Sequence, residues 1–205
     1  MNYIVSLQGR KSAFKIVLAG IITLMLGFIP VSAMGAERSP RNTFQRIDAS
    51  YIIGGQIYND NFIYNPGLSL NMTYGIYLTS DVSIGFGAGY QSFENERFIP
   101  IYGEILGYKK HKNTSAPFIR MQMGYGIGWS ENFPANIHYK YSGGPFIDIG
   151  MGRKFKINDR HSLIMQWSYR HQFARLEYET YGAEMYSQNL NYDMIVITIA
   201  FMTDY

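Results

Sequence analysis

Residues 82–91 have the sequence VSIGFGAGYQ, in which larger apolar side chains alternate with small or polar ones. The apolar positions are Val82, Ile84, Phe86, Ala88 and Tyr90. Successive side chains of an extended chain point to opposite faces, so this spacing places all five on one face. The other face carries only Ser, Gly and Gln. The pattern predicts a β-strand with one apolar face and one small, polar face.

Residues 117–129, PFIRMQMGYGIGW, repeat this pattern, and weaker versions occur along the rest of the chain. No segment after residue 40 keeps a helical period, so we predict an all-β chain. Pro100 weakens the fourth strand, because proline has no N–H to donate to a neighbour. The eight predicted strands are 44–55, 68–78, 82–91, 98–108, 117–129, 145–155, 162–173 and 190–205.

The first 33 residues have the features of a secretory signal peptide. Three basic residues, Arg10, Lys11 and Lys15, precede an apolar run over residues 16–31, and Val31-Ser32-Ala33 forms a small-residue cleavage site. The run is shorter than the roughly 20 apolar residues of a membrane-spanning helix. We therefore expect cleavage after Ala33 and export of the rest of the chain.

The charge of the exported chain excludes one class of partner. The sequence has 18 Lys and Arg residues and 15 Asp and Glu residues, and the predicted signal removes three bases and no acid, which leaves a net charge of zero. Nucleic-acid binding depends on an excess of basic residues, so we expect no nucleic-acid partner. The absence of cysteine also excludes disulfides and a thiol-linked lipid anchor.

The polar face of the predicted strands decides which side meets water. Across all eight segments it carries only six charges: Arg46, Asp48, Glu104, Arg120, Asp148 and Arg170. A soluble barrel needs a much denser charged exterior. Three bases and three acids suit a narrow interior, where buried charges must be paired. We therefore predict that these residues form a lumen network and that the apolar face meets lipid.

Aromatic residues on the apolar face support contact with a membrane. We assign seven of them to girdles near the strand ends: Tyr51, Tyr77, Tyr90, Tyr102, Trp129, Trp167 and Tyr205. The last strand places Phe201 and the terminal Tyr205 on this face, and we predict that these two aromatics are its assembly signal. A two-sheet sandwich is the alternative, but it would not need the glycine-rich polar side.

Three stretches carry a resemblance to a known family. They are the signal peptide, the strand in which residues 116–119 (APFI) lead into residues 124–129 (GYGIGW), and the C-terminal residues 195–205 (IVITIAFMTDY). Together they resemble the small outer-membrane β-barrel proteins of Gram-negative bacteria that are grouped with OmpX and the OmpA transmembrane domain.

The resemblance implies an eight-stranded antiparallel transmembrane barrel with a filled interior. It also implies insertion by the barrel-assembly machinery into a membrane of lipid and lipopolysaccharide. The domains are then a signal peptide over 1–33, a periplasmic segment over 34–43 and the barrel over 44–205. Activity varies among members of the family and does not follow from the resemblance.

The sequence favours no catalytic or metal site. The histidines, His111, His138, His161 and His171, lack the spacing of metal ligands, and no nucleophile or phosphate-loop motif is present. Lipid A deacylation needs Ser, His and an acid on the lipid face. Here His171 is followed by Glu177, Glu179 and Glu184, but Phe173 stands at the family's Ser position and Ser168 faces the interior. We expect no enzyme activity and no cofactor.

We therefore predict a structural or surface-interaction role, similar to adhesion, through loops whose partner the sequence does not identify. A narrow porin-like pore and a lipid A modifying enzyme are the alternatives. Eight strands enclose a space that side chains just fill. Glycines at positions 85, 87, 89, 124, 126 and 128 leave two outcomes open, a water-filled pocket or room for long side chains from neighbouring strands.

Overall fold

The computed structural model describes residues 42–58, 61–109, 115–130, 139–179 and 185–205. Among these residues, no helix is long and apolar enough to cross a membrane. The strands are β1 (Thr43–Tyr58), β2 (Asn61–Tyr64), β3 (Gly67–Tyr77), β4 (Val82–Ser92), β5 (Glu96–Tyr108), β6 (Ser115–Ser130), β7 (Tyr139–Lys156), β8 (His161–Glu179) and β9 (Met185–Asp204). The predicted signal peptide and all but the last two residues of the 34–43 segment lie outside the described ranges.

The strands form one closed antiparallel sheet. From β3 to β9 each strand pairs with the next one along the chain, and β9 pairs with β1 to close the sheet. Strands β2 and β3 keep the same register on β1, with Tyr64 opposite Gly55 and Gly67 opposite Ile52. Pro66 separates them because it cannot donate a ladder hydrogen bond. Because β2 and β3 together occupy one strand position beside β1, the barrel wall has eight strand positions, and the predicted eight-stranded fold is confirmed.

The side chains alternate between the two faces of the barrel wall as the sequence predicts. On β6, Ile119 is exposed and Arg120 is buried, and on β4, Phe86 is exposed whereas Gln91 is buried. The polar and glycine-rich face therefore lines the interior, and the apolar face forms the exterior.

The strands are longer than predicted at the end of the barrel opposite Thr43 and Tyr205, which we call the loop end. The predicted strands end at residue 173 and begin again at residue 190, but β8 and β9 stay paired from Ala174 and Leu190 to Glu179 and Met185. Alternation continues there in reversed form, because Leu176 packs inward while charged residues face outward. The charged residues give the extended part of the β8–β9 hairpin a composition typical of a loop, although its side chains still alternate between the two faces of the sheet.

Prolines interrupt two ladders without ending the strands. Between β4 and β5, no pair is formed between Ala88–Ile101 and Gln91–Phe98, and Pro100 lies in this gap. Pro100 still lies opposite a β6 residue, so segment 98–108 is a strand as predicted. On β7 a bulge lies between Gly143 and Phe146.

Candidate functional site

The six charges assigned to the lumen lie together inside the barrel. None of them is more than 4% exposed. They come from five strands: Arg46 and Asp48 from β1, Glu104 from β5, Arg120 from β6, Asp148 from β7 and Arg170 from β8. Together with Gln122 of β6, we call them the charge ring.

One half of the ring is centred on Arg46. Its Nε donates to Asp48 Oδ1 at 2.7 Å, and its Nη2 donates to Glu104 Oε2 at 2.7 Å. Strands β1 and β5 are not neighbours in the sheet, so the second bond crosses the interior. Asp48 Oδ2 also lies 3.9 Å from Nη1 of Arg120, which connects this half to the other.

The other half is centred on Asp148. Nη2 of Arg120 donates to Asp148 Oδ1 at 2.9 Å, and Nε of Arg170 donates to Asp148 Oδ2 at 2.9 Å. Gln122 completes the circuit, because it donates to Glu104 at 2.9 Å and accepts from Arg170 at 3.5 Å. The ring is therefore closed, and its three bases balance its three acids.

An apolar layer lies on the terminal side of the charge ring, the side that carries Thr43 and Tyr205. It consists of Phe44, Leu106, Phe118, Ile164, Ala200 and Met202, with Tyr77 and Tyr108 packed against it. Nζ of Lys154 lies 2.9 Å from Asp204 Oδ2, and the Tyr77 hydroxyl donates to Oδ1 of the same carboxylate at 2.7 Å. This contact links three strands, β3, β7 and β9, at the terminal end of the lumen.

A second apolar layer lies on the loop side of the ring. It consists of Ile52, Phe93, Phe98, Ala174, Leu190, Tyr192, Met194 and Val196, with Tyr141 and Leu176 packed against it. The hydroxyls of Tyr141 and Tyr192 are 2.9 Å apart, and the Phe98 ring contacts both tyrosine rings edge-on.

The interior glycines make room for long side chains from neighbouring strands. A Cβ at Gly87 would lie 2.6 Å from Tyr102 Cζ, and a Cβ at Gly126 would lie 2.5 Å from Gln172 Nε2. Of the two outcomes left open by the sequence, these contacts support small-to-large packing. In the described part of the barrel, side chains therefore occupy the interior from one apolar layer to the other.

Five of the predicted girdle aromatics lie on the outer face. Tyr51, Trp167 and Tyr205 are exposed there, and Tyr90 and Trp129 pack ring to ring with centroids 6.4 Å apart. Phe201, assigned with Tyr205 to the assembly signal, is also exposed on the outer face of β9.

The girdle assignment is wrong for Tyr77 and Tyr102, which point inward. Tyr102 is buried, and its hydroxyl lies 2.9 Å from that of Thr73. The period-two rule already placed Tyr102 on the face of Glu104, two residues away, and Tyr77 on the face opposite Ile76. Proximity to a strand end was a weaker signal than the alternation.

Two polar pairs bracket the apolar outer surface of β8 and β9. His161 lies opposite Thr203, with Nδ1 3.2 Å from the hydroxyl, and His171 lies opposite Asp193, with Nδ1 2.6 Å from Oδ1. The pairs are ten residues apart along each strand, from 161 to 171 and from 203 to 193. At about 3.3 Å per residue and a tilt of about 40°, they bracket about 25 Å, the height of a barrel's apolar band.

The acid beside His171 is Asp193, which the sequence analysis missed. None of the three predicted acids is seen beside His171. Glu177 pairs with Arg175, and the structure describes neither the side chain of Glu179 nor any part of Glu184. The register that places Asp193 opposite His171 belongs to the full β8–β9 hairpin, which extends beyond the predicted strand ends at residues 173 and 190.

No serine nucleophile adjoins His171 among the contacts described. Its ring packs against Phe173 with centroids 4.6 Å apart, and Ser168 lies inside the barrel and donates to Asp148. His111 and His138 lie outside the described residues. Within those ranges, no three His, Cys, Asp or Glu side chains come together as metal ligands.

Comparisons with solved structures identify the fold. Neisserial surface protein A shares 7% identity with this chain at a TM-score of 0.58, with 80% of this chain and 97% of that one covered. The outer membrane protein OprG from Pseudomonas aeruginosa shares 10% identity at a TM-score of 0.57, with 80% of this chain and 96% of that one covered. The outer membrane protein AlkL shares 11% identity at a TM-score of 0.54, with 84% of this chain and 94% of that one covered. No family model and no curated protein matches the chain.

These similarities show that the chain has the fold of the small eight-stranded outer-membrane barrels. At such low identity they show the shared fold and do not transfer a function.

Proposed function

We propose that this chain is an outer-membrane barrel of a Gram-negative bacterium with a structural or surface-interaction role and no conducting pore. The packing of side chains inside the barrel is the observation that supports the proposal. Two apolar layers enclose the charge ring, so a hydrated ion would have to displace packed aromatic rings and break buried ion pairs. If the interior conducts nothing, the outer face of the barrel and its loop end are the surfaces left for a function.

The loop end offers a surface suited to contacts with other molecules. Exposed apolar side chains cluster on its hairpins: Phe62, Ile63 and Tyr64 on β2, and Met185 and Tyr186 on β9. Tyr178 and Tyr186 stack across the β8–β9 hairpin with centroids 5.9 Å apart. Exposed apolar groups on walls that extend beyond the membrane are typical of sites that bind partners.

The location follows from the same reasoning. The predicted signal over residues 1–33 would export the chain, and the barrel-assembly machinery would insert it among lipid and lipopolysaccharide. The β8–β9 hairpin extends at the loop end, as external ends of such barrels do, so in this proposal the terminal end faces the periplasm and the loop end faces outward.

Conductance separates a filled barrel from a pore. The purified, refolded chain should give no stepwise currents in planar bilayers at moderate voltage. Stable, ohmic single-channel steps from the native chain would contradict the proposal and favour the narrow pore.

Attachment assays test the surface role. Cells that display the F62S/I63S variant should lose autoaggregation and attachment to a hydrophobic surface, compared with native protein at equal surface abundance. The matched control is Ile157→Ser, which removes an exposed apolar side chain from a turn at the terminal end. Equal behaviour of all three proteins would refute a role for this surface.

The enzyme alternative requires a change in lipid A. We expect mass spectra of lipid A to be identical in strains with and without the gene, because His171 has no adjoining serine in the described structure. Loss of an acyl chain that depends on the gene and on His171 would overturn this expectation.

A further inference from the structure

We propose that the open edge of β2 binds an extended peptide segment with a basic side chain, which adds to the sheet as a further strand. The edge lies at the loop end, where β2 pairs with β1 and with no other described strand. It belongs to the surface to which we assign contacts with other molecules, so the proposal rests on that role and names the kind of partner.

The rim of the barrel is low beside β2. Strands β3 and β4 pair no further toward the loop end than Leu68 and Ser92, and the chain turns back into β5 over residues 93–95. Strand β2 lies beyond this point on the same side of β1, with Tyr64 opposite Gly55. No described strand therefore lies beside the second edge of β2.

The second edge of β2 presents backbone groups of Phe62 and Tyr64. The Asn65 amide donates to the Gly54 carbonyl at 2.8 Å. Residues that bond a given neighbour alternate along an antiparallel strand, so Ile63 bonds β1 while the amides and carbonyls of Phe62 and Tyr64 point away from it. These groups have no hydrogen-bond partner among the described residues. They can therefore donate to and accept from an added strand.

Strand β2 lacks the features that usually protect the edge of a sheet. Natural edge strands are blocked by lysine, proline or a bulge, whereas the β2 sequence, NFIY, contains no charge, proline or glycine. All four of its side chains are exposed, so both faces of the strand are accessible. The edge therefore suits strand addition, the mode of peptide recognition in which main-chain hydrogen bonds supply the affinity.

The charges beside the edge favour a basic segment. Glu94, Glu96 and Arg97 follow β4 and give this part of the rim a net charge of one negative. The Glu94 amide donates to Asn65 Oδ1 at 3.2 Å, which holds this stretch against the end of β2. Arg97 is turned toward backbone carbonyls and donates to that of Glu96 at 2.9 Å. The Glu94 carboxylate is exposed and has no ion pair among the described residues, so a basic side chain of the added strand can pair with it.

The same charges disfavour a second copy of this chain as the added strand. A second β2 carries no base, and it would bring another Glu94 and Glu96 to the rim, where like charges repel across a ladder. Side chains of an added strand alternate between the faces on which Phe62 and Ile63 lie exposed. The partner is therefore a segment with apolar residues at alternate positions and a lysine or arginine at the end beside Asn65.

Peptide selection tests the proposal. A random-peptide display library is selected on the full mature chain folded in detergent micelles, and the enriched peptides are synthesised and titrated by fluorescence anisotropy. We expect these peptides to alternate apolar residues and to carry lysine or arginine. N-methylation of alternate residues removes the N–H donors along one edge of a peptide. One of the two alternate sets should weaken binding by about tenfold or more, and the other should change it little, because only one edge faces β2.

Variants of the chain test the same edge from the other side. Phe62→Pro removes an outward N–H, which an edge strand tolerates, and should weaken the enriched peptides by about tenfold. The matched control is Phe62→Ala, which removes the same ring but keeps the N–H and should weaken them by less than about threefold. Glu94→Gln should remove the preference for a peptide with lysine over the same peptide with glutamine in its place.

The N-methyl comparison uses only the native chain, so it decides the question if Phe62→Pro does not fold. Failure to enrich any peptide, equal effects of the two N-methyl sets, or enrichment of acidic peptides would overturn the proposal. Loss of attachment in F62S/I63S cells without any effect of N-methylation would refute strand addition and leave the surface role in place. Peptide binding as expected with unchanged attachment would support strand addition and refute the attachment role.

Discussion

Removing the guanidinium of Arg46 should destabilise the barrel more than any other single loss from the charge ring. Arg46 is fully buried and bonds both Asp48 and Glu104 at 2.7 Å. The Arg46→Met substitution keeps an unbranched side chain but leaves two carboxylates with only Arg120 and Gln122 nearby. The interior then carries one uncompensated negative charge.

The cost can be estimated from the behaviour of buried ion pairs. Removal of one partner of such a pair costs about 3–5 kcal/mol, most of it from the charge left behind. Glu104→Gln in the same chain removes the excess charge, so the double variant should lose only about 1–2 kcal/mol. The two single losses therefore should not add, and we expect a coupling energy of at least about 2 kcal/mol.

The assay is guanidinium unfolding of the chain folded into lipid vesicles, followed by the fluorescence of Trp129 and Trp167. The control is Lys154→Met, which breaks the pair with Asp204 at the lumen mouth. These side chains are 16% and 17% exposed, against 0% for those of Arg46 and Glu104, so the cost should be smaller than that of Arg46→Met. If Arg46→Met costs less than about 1 kcal/mol and the two substitutions are additive, water screens the interior and the filled-lumen argument fails.

Gly87→Val should prevent folding, because its Cβ would meet the Tyr102 ring at 2.6 Å. Gly103→Val should be tolerated on the outer face, where the nearest atom is 3.9 Å away. Gel migration before and after boiling distinguishes folded from unfolded chain, and equal folding of the two variants would refute the packing. Deletion of residues 201–205 should abolish the heat-modifiable species, since it removes pairing partners of β1 and leaves an edge open in lipid; normal abundance in the outer membrane would contradict this. N-terminal sequencing should find a mature chain that begins near Met34 in outer-membrane fractions, and full-length protein in the inner membrane would disprove the signal assignment.

The alternation of side chains was enough to predict the fold and the residues of the lumen. Every strand with a period of two was found, and Arg46, Glu104 and Asp148 stood out because each would break an apolar face if turned outward. The partners within the lumen could not be predicted. The Arg46–Glu104 contact joins strands that are not neighbours in the sheet, and alternation carries no information on such pairs.

The outer cluster at Asp193 was missed for a different reason. Asp193 breaks an otherwise apolar face near a predicted loop, and a carboxylate there is ordinary when the strand is assumed to end. Only the full length of the β8–β9 hairpin places it opposite His171. The extent of strand pairing was therefore the missing information, since charged residues are compatible with both a loop and an extended wall above the membrane.

The division of charge between the two halves of the ring bears on the order of assembly. Arg120, Asp148 and Arg170 lie on three consecutive strands and sum to one positive charge, whereas Arg46, Asp48 and Glu104 sum to one negative charge. An incomplete sheet that lacks either group therefore carries a net charge that only water can accommodate. The first strand adds one base and one acid and so leaves the net charge unchanged, but Glu104 gains its ion-pair partner Arg46 only when that strand is in place. Completion of the buried ion pairs is therefore coupled to closure of the sheet.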